Sequence, residues 1–171
     1  MDRSQQAWVQ SKYKLAFPHL TRIESNEDVE TQKRGVDLYI HLLGEASTRV
    51  EEKVRWRYYN DILLEDWSVY EEQKPGWARD MSKITEYLAY YFPETRVFWI
   101  MCYPALRHWF LENYEIILHP ILRDRIRRLG KENEYIWGKT ESPGYNYHTA
   151  NIPVPLDTFD PAWFRKNFWI Y

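Results

Sequence analysis

The sequence predicts an α/β fold in which a mixed central sheet is flanked by helices. Apolar and polar residues alternate over 36–42 and over 48–56, which is the period-two pattern of half-buried strands. Apolar residues follow helical spacing through 4–17. A continuous apolar run at 96–103 is typical of a strand that is buried on both faces. Together these segments indicate strands and helices that share one core.

The first helix is expected to begin near Ser4, which can act as its N-cap, and to end before Pro18. A short strand should follow at 20–23. The acidic stretch 24–30 is expected to be a loop or turn. The chain would then enter the first of the two alternating strands.

The middle of the chain is predicted to be a meander of strands. A turn at 44–45 joins the two alternating strands, and 62–69 has the composition of a further strand. After the Pro-Gly breaker at 75–76, apolar residues recur at helical spacing, which predicts an amphipathic helix over about 81–92.

The remainder is predicted to contain the 96–103 strand and then mostly helical or irregular chain. Helices are expected at about 105–113 and 120–129. The residues 130–171 are expected to form an irregular tail, because prolines and Pro-Gly interrupt them. Because the sequence shows no internal repeat and no low-complexity linker, we expect a single domain over 1–171, with its core at about 4–129.

Composition narrows the classes of function. The 171 residues are 44% hydrophobic, which suffices for a core without disulfides. A net charge of −2 excludes a uniformly basic surface, so nucleic acid would have to bind at a local positive face. Cys102 is the only cysteine, which excludes an intrachain disulfide and a Cys-cluster zinc site. With a polar N-terminal sequence and no apolar run of about 18 residues, we expect a cytoplasmic protein without a membrane partner.

Three polar side chains on neighbouring strands carry the clearest chemical signal. Asp37 lies on the polar face of the first alternating strand, and Glu51 and Lys53 share a face of the next. The short turn between the strands indicates antiparallel neighbours, so the three side chains can converge. Two carboxylates suit Mg²⁺, and a lysine adds positive charge, which is what the hydrolysis of a phosphodiester bond requires. The alternative is a cross-strand salt bridge on a solvated face.

At these positions the sequence resembles the PD-(D/E)XK nuclease superfamily. Its motif is an acid on one strand followed by acid-any-Lys on the next, and 35–37 and 51–53 correspond to the two halves. Val36 stands where the motif's name has proline. The predicted order of helix, strand hairpin, strand, helix and strand over 4–103 is also similar to the core of that superfamily. Some features resemble a phage and bacterial branch of it.

The resemblance implies a restriction-endonuclease-like core and specific roles for four residues. Asp37 and Glu51 would be ligands of Mg²⁺, for which Mn²⁺ can substitute, and the backbone carbonyl of Glu52 would be a further ligand. Lys53 would orient or activate the water. The implied activity is Mg²⁺-dependent hydrolysis of DNA by an endonuclease, acting alone, as a homodimer or with a protein partner. The alternative is a catalytically silent protein of the same fold that binds nucleic acid or a protein partner.

Basic residues near the motif are candidates for binding DNA. Lys33 and Arg34 precede the first acid, and Arg55 and Arg57 follow the motif lysine. Each can equally be an ordinary surface charge. A denser cluster of Arg and Lys over 123–131 could follow a DNA backbone, although a charged helix face explains it as well.

Three further residues are candidates for supporting the metal site. Glu65 and Glu24 are acids on or near predicted strands, and His41 shares the face of Asp37. Ordinary exposed strand residues would show the same pattern. An additional acid from a helix, which the superfamily uses, has no unique counterpart here, because several acids within 24–30 compete for the role.

Overall fold

The computed structural model describes residues 3–117, 136–142 and 145–171. The chain forms two compact units. The first unit comprises Met1–Tyr58, Ser82–Ala105 and Ala162–Tyr171, and the second comprises Tyr59–Met81 and Leu106–Pro161.

The described residues contain five α-helices and ten strands. The helices are α1 Arg3–Ala16, α2 Val29–Lys33, α3 Tyr103–Glu112, α4 Tyr114–Ile117 and α5 Pro161–Asn167. The strands are β1 Leu20–Ser25, β2 Leu38–Leu42, β3 Thr48–Val54, β4 Asp61–Val69, β5 Lys74–Pro75, β6 Tyr87–Phe92, β7 Val97–Cys102, β8 Ile136–Ser142, β9 Tyr145–Pro155 and β10 Phe168–Ile170. The predicted α/β class is confirmed. None of these helices is long and apolar enough to cross a membrane.

The first unit is built on a mixed sheet with the strand order β1-β2-β3-β6-β7-β10. β3 and β6 are parallel, and the other neighbouring pairs are antiparallel. One face of the sheet packs against α1. Val9 and Tyr13 of this helix, and Phe17 just after it, share a buried cluster with Val50 and Phe98. Because side chains alternate along a strand, Glu52 shares the face of Val50, and Glu51 points to the opposite face.

The predicted helix at 81–92 is wrong, because 87–92 forms β6. The helical spacing was a subset of an apolar run in which every residue from 88 to 92 is buried. Such a run, covered on both faces, is typical of an internal strand. The predicted loop at 24–30 is also only partly correct. β1 continues to Ser25, and α2 begins after Asp28, whose side chain accepts a hydrogen bond from the Thr31 N–H as an N-cap.

The second unit contains an antiparallel sheet with the order β5-β4-β9-β8. The prediction of an irregular tail is therefore wrong, since β8, β9, α5 and β10 all lie in it. Pro153 and Pro155 lie within β9 and are register partners of Leu63 and Asp61 of β4. The predicted helix at 120–129 and the basic cluster at 123–131 lie outside the described residues.

We expect Asp66→Asn to lower the free energy of unfolding by about 2 kcal/mol, because Asp66 anchors a buried ionic network. Its carboxylate is fully buried and accepts hydrogen bonds from Arg79 Nη1 at 3.0 Å and Tyr114 Oη at 2.8 Å. The Arg79 guanidinium also stacks 4.3 Å from the Trp67 ring. Urea unfolding measures the change. Glu112→Gln, which breaks an exposed ion pair with a histidine, is the control and should change stability little. Equal effects would contradict the network's role.

The Glu71–His148 pair makes a pH-dependent contribution to the second unit. His148 Nδ1 lies 2.5 Å from Glu71 Oε1, and this hydrogen bond, followed by backbone hydrogen bonds that include one from the His148 N–H, lowers the pKa of Glu71 from 4.5 to about 2. Because the folded pKa is the lower one, the contribution is present above pH 4.5 and is lost as the pH falls toward 2. In His148→Gln we expect the pKa of Glu71 to return toward 4.5, as followed by carboxyl NMR titration. An unchanged pKa would mean that another group causes the shift.

Candidate active site

Asp37 directly precedes β2 and is hydrogen-bonded to β3 where the two strands begin to pair. Its N–H donates to the Val50 carbonyl at 2.9 Å, and its Oδ2 accepts from the Glu52 N–H at 2.7 Å. Its own carbonyl accepts from the Asn26 N–H at 2.8 Å. The carboxylate therefore substitutes for a backbone acceptor in the β2–β3 ladder. Its position is fixed against the backbone of the motif strand.

Glu51 and Lys53 share one face of β3, as their spacing predicted, and they form an ion pair there. Lys53 Nζ lies 2.6 Å from Glu51 Oε1. The Glu51 side chain is buried, at 4% exposure, whereas 32% of the Lys53 side chain is exposed. The hydroxyl of Thr85 lies 3.5 Å from the other oxygen, Glu51 Oε2. Both oxygens of Glu51 thus have polar neighbours.

The segment before Asp37 packs directly against Glu51. Gly35 has φ +82°, and a Cβ there would lie 2.6 Å from Glu51 Oε2 and 2.5 Å from the Thr85 hydroxyl oxygen. The Thr85 hydroxyl donates to the Gly35 carbonyl. Lys83 reaches the same place, because its Nζ donates to the Lys33 carbonyl at 3.1 Å. The close approach requires glycine at position 35.

Lys83 and Thr85 are the site neighbours that sequence reasoning missed. Both lie within 81–92, where a helix was predicted, so the direction of their side chains could not be inferred. In the structure this segment is not helical: the Ile84 N–H donates to the Arg34 carbonyl, and the Glu86 carbonyl accepts from the Tyr103 N–H. Reading this segment as extended chain was the available signal.

Glu52 faces α1, away from the Glu51–Lys53 pair. The Tyr13 hydroxyl donates to Glu52 Oε1 at 2.9 Å. Burial raises the pKa of Glu52, the hydrogen bond from Tyr13 opposes that rise, and the charge of Asp37 adds to it. Burial and then the charge of Glu52 raise the pKa of Tyr13 well above its usual value. Burial, followed by the charges of Glu52 and Asp37, also raises the pKa of Tyr91.

The predicted residues thus form two neighbouring sets, one on β3 and one between β3 and Asp37. Glu51 is paired with Lys53, whereas Asp37 is bonded to the Glu52 backbone and acts electrostatically on the Glu52 side chain. Within the described part of the chain, no three His, Cys, Asp or Glu side chains are grouped as a metal site.

The four basic residues predicted to bind DNA differ in how far they are exposed. Lys33 is exposed and forms an ion pair with Glu30 at 2.7 Å, and Arg34 is exposed beside it. Arg55, just beyond β3, is half-buried, and its N–H donates to the Tyr91 carbonyl at 3.0 Å. Arg57 is exposed.

The three candidates for supporting the metal site have partners other than the motif residues. Glu24 Oε2 lies 2.9 Å from His41 Nε2 and 2.5 Å from the Arg22 guanidinium, so Glu24 and His41 belong to a separate ionic cluster on β1 and β2. Glu65 lies on β4 in the second unit, where its Oε1 accepts from the Trp77 N–H at 3.4 Å. No acid lies on α1, which presents Gln6 and Gln10 instead.

The donor atoms at the site suit Mg²⁺ in their chemistry. They are carboxylate and carbonyl oxygens, which hard divalent cations prefer, and one or two protein carboxylates are usual for Mg²⁺. Asp37 would offer its second oxygen, since Oδ2 already accepts from the Glu52 N–H. Glu51 would have to exchange the Lys53 ammonium for the ion.

Compared with protein-family models, curated proteins and solved structures, the chain matches none of them.

Proposed function

We propose that the chain is a Mg²⁺-dependent endonuclease that hydrolyses phosphodiester bonds of DNA. One observation carries the proposal. The buried carboxylate of Glu51 lies 2.6 Å from the Lys53 ammonium, and the next backbone N–H along the same strand holds the carboxylate of Asp37. An acid pair and a lysine on two neighbouring strands is the chemistry that phosphodiester hydrolysis needs.

Each residue has a defined part in this proposal. When bound, Mg²⁺ would lower the pKa of a water and offset the charge that develops on the phosphate oxygens. Asp37, Glu51 and the Glu52 carbonyl would hold it. Lys53 is accessible enough to reach a phosphate or to orient a water, and Glu51 keeps its ammonium in place. Thr85 and Gly35 restrict the position of Glu51.

The strand order of the first unit supports a restriction-endonuclease-like core. Helix α1 is followed by the antiparallel strands β1, β2 and β3, with the two halves of the motif at the start of β2 and on β3. This agrees with the order that the resemblance implies. The chain departs from it between β3 and β6, where strands of the second unit replace the expected helix.

The charges around the motif support a nucleic acid as the substrate. Lys33 and Arg34 directly precede Gly35, Lys83 Nζ donates to the Lys33 carbonyl, and Lys53 pairs with Glu51, although the net charge of the chain is −2. Such a local cluster can neutralise phosphates without a basic surface overall. DNA binding should weaken as salt increases. We propose a cytoplasmic setting, in which the free thiol of Cys102 stays reduced.

A catalytically silent DNA-binding or protein-binding role is the second candidate. The closed Glu51–Lys53 ion pair favours it, because a buried acid with a lysine partner is complete without a metal. The two candidates share the fold and the basic cluster. They differ in whether the pair opens to accept a divalent cation.

A cleavage assay with the whole chain separates these candidates. Supercoiled plasmid, linear duplex and single-stranded DNA would be incubated with Mg²⁺, Mn²⁺, Ca²⁺ or EDTA. The proposal predicts metal-dependent cutting of the closed circular plasmid, which has no ends for an exonuclease. Binding of the same DNA without cutting in any metal would contradict it and would favour the silent role.

A further inference from the structure

An exposed tryptophan follows directly after the strand that carries the motif. β3 ends at Val54, and Trp56, two residues later, is 65% exposed. Val54 and Tyr58 on either side of it are exposed as well. Within the described ranges, Trp56 packs against no other aromatic ring and no cation. Tryptophan is usually well buried, so three large exposed side chains within five residues indicate a contact surface.

The chain on both sides of Trp56 is held by the core of the first unit. The Arg55 N–H donates to the Tyr91 carbonyl at 3.0 Å, which continues the pairing of β3 with β6 beyond the end of the strand. The Tyr58 ring packs edge-on against the buried Phe92 ring at 5.1 Å. Trp56 therefore lies between two anchored residues, and its position costs less ordering entropy on binding than a free loop would.

Positive charges alternate with the exposed side chains of this segment. Lys53, Arg55 and Arg57 occupy every second position, with Val54, Trp56 and Tyr58 between or after them. Arg57 is exposed and forms no ion pair with any described residue. Cations that alternate with flat rings are complementary to a polyanion that carries flat bases, because the cations meet phosphates while a ring stacks on a base.

The segment is close to the motif along the chain. Trp56 follows the motif lysine, Lys53, by three residues, so their Cα atoms are at most about 11 Å apart. That distance corresponds to about three nucleotide steps of a DNA strand. A base that stacks on Trp56 would thus belong to the nucleotides nearest the phosphate at Lys53.

The geometry of stacking selects the form of the DNA. An indole ring needs the flat face of a base, whereas a duplex covers these faces by base stacking and leaves only the base edges accessible in its grooves. Unpaired bases have accessible faces. They occur in single strands and where negative supercoiling favours the opening of a duplex.

We infer that Trp56 stacks on an unpaired base of DNA beside the motif, while Arg57 contacts a neighbouring phosphate. The inference rests on the proposed function, because it takes DNA as the substrate. It deepens that function by naming single-stranded DNA, or an unpaired stretch within a duplex, as the form that the site prefers.

Fluorescence anisotropy with a labelled single strand and with the duplex of the same sequence tests the inference on the whole chain. Both are measured in Ca²⁺ and in EDTA. We expect Trp56→Ala to weaken binding of the single strand about tenfold and binding of the duplex less than twofold. Trp56→Phe keeps a ring and should retain most of the affinity. Arg57→Gln should weaken both forms alike, because it removes a phosphate contact.

Leu43→Ala is the matched control. Leu43 is 73% exposed in the turn before β3, at the opposite end of the strand from Trp56, so its removal should change neither affinity. Thermal melts check that the variants fold. Equal weakening of both DNA forms by Trp56→Ala, or unchanged binding of the single strand, would overturn the inference. So would a wild type that binds no single-stranded DNA, and the exposed segment would then fit a protein partner.

Failure of the inference is distinguishable from failure of the proposed nuclease. If Mg²⁺-dependent cleavage requires Glu51 while Trp56→Ala binds single-stranded DNA like the wild type, only the inference fails. If binding of single-stranded DNA depends on Trp56 and no DNA is cut in any metal, the stacking site stands and the nuclease does not.

Discussion

Replacing Lys53 by methionine is expected to reduce Mg²⁺-dependent DNA cleavage roughly a hundredfold or more, which is the usual cost of losing a group that stabilises charge in the transition state. Methionine keeps the length of the side chain but removes the ammonium that lies 2.6 Å from Glu51. The buried Glu51 carboxylate would lose its partner, so stability should fall by about 1–3 kcal/mol as well. Single-turnover cleavage and urea unfolding measure the two effects.

Lys53→Arg separates the catalytic effect from the structural one. Arginine retains the positive charge beside Glu51, so stability should stay close to that of the wild type. Its broad planar group cannot take the position of an ammonium toward a water or a phosphate, so cleavage should remain low. If Lys53→Arg restores cleavage along with stability, the role of Lys53 is confined to pairing with Glu51. If Lys53→Met cuts DNA as fast as the wild type, the proposed role of Lys53 is wrong.

Gly35→Ala is expected to lower the free energy of unfolding by about 3 kcal/mol, through backbone strain and a clash together. Gly35 has φ +82°, which costs a residue with a Cβ about 1 kcal/mol or more. The new Cβ would also lie 2.6 Å from Glu51 Oε2 and 2.5 Å from the Thr85 hydroxyl oxygen. Glu51 would have to move, so cleavage should be lost in the folded fraction too.

Gly44→Ala is the matched control for this prediction. Gly44 has φ +76°, but a Cβ there would meet nothing within 4 Å. It should therefore show the strain alone, at about 1 kcal/mol, and normal cleavage. The difference between the two variants in urea unfolding isolates the contact with Glu51. Equal losses would mean that Thr85 and Glu51 adjust to the methyl group without cost.

The strands that carry the motif could be predicted because their pattern is local. The alternation over 36–42 and 48–56 predicts which face of the strand carries Glu51 and Lys53. A shift of the strand register by one residue would expose the buried Val50 to water. The hairpin between them follows from a short turn with Gly44. The contact between Glu51 and Lys53 agrees with the predicted shared face of the strand.

The chain beyond β3 could be predicted less well, because its structure depends on distant partners. The run over 88–92 fits a helix or a strand until β3 and β7 are known to flank it. The prolines of β9 suggested an irregular tail, although Pro153 and Pro155 are paired with β4 in a sheet. The Glu52 side chain meets Tyr13 of α1, and no spacing in the sequence shows that contact.

The most direct test of the central claim is nicking of a supercoiled plasmid in Mg²⁺ by the wild type, Glu51→Gln and Glu86→Gln side by side. Glu86 pairs with Arg49 of β3 at 3.1 Å, so Glu86→Gln breaks an ion pair on the motif strand without touching Glu51 or Lys53. We predict that the wild type and Glu86→Gln nick the plasmid, that Glu51→Gln does not, and that EDTA stops all cutting. Nicking by Glu51→Gln at the rate of the wild type, or by none of the three proteins, would contradict the claim.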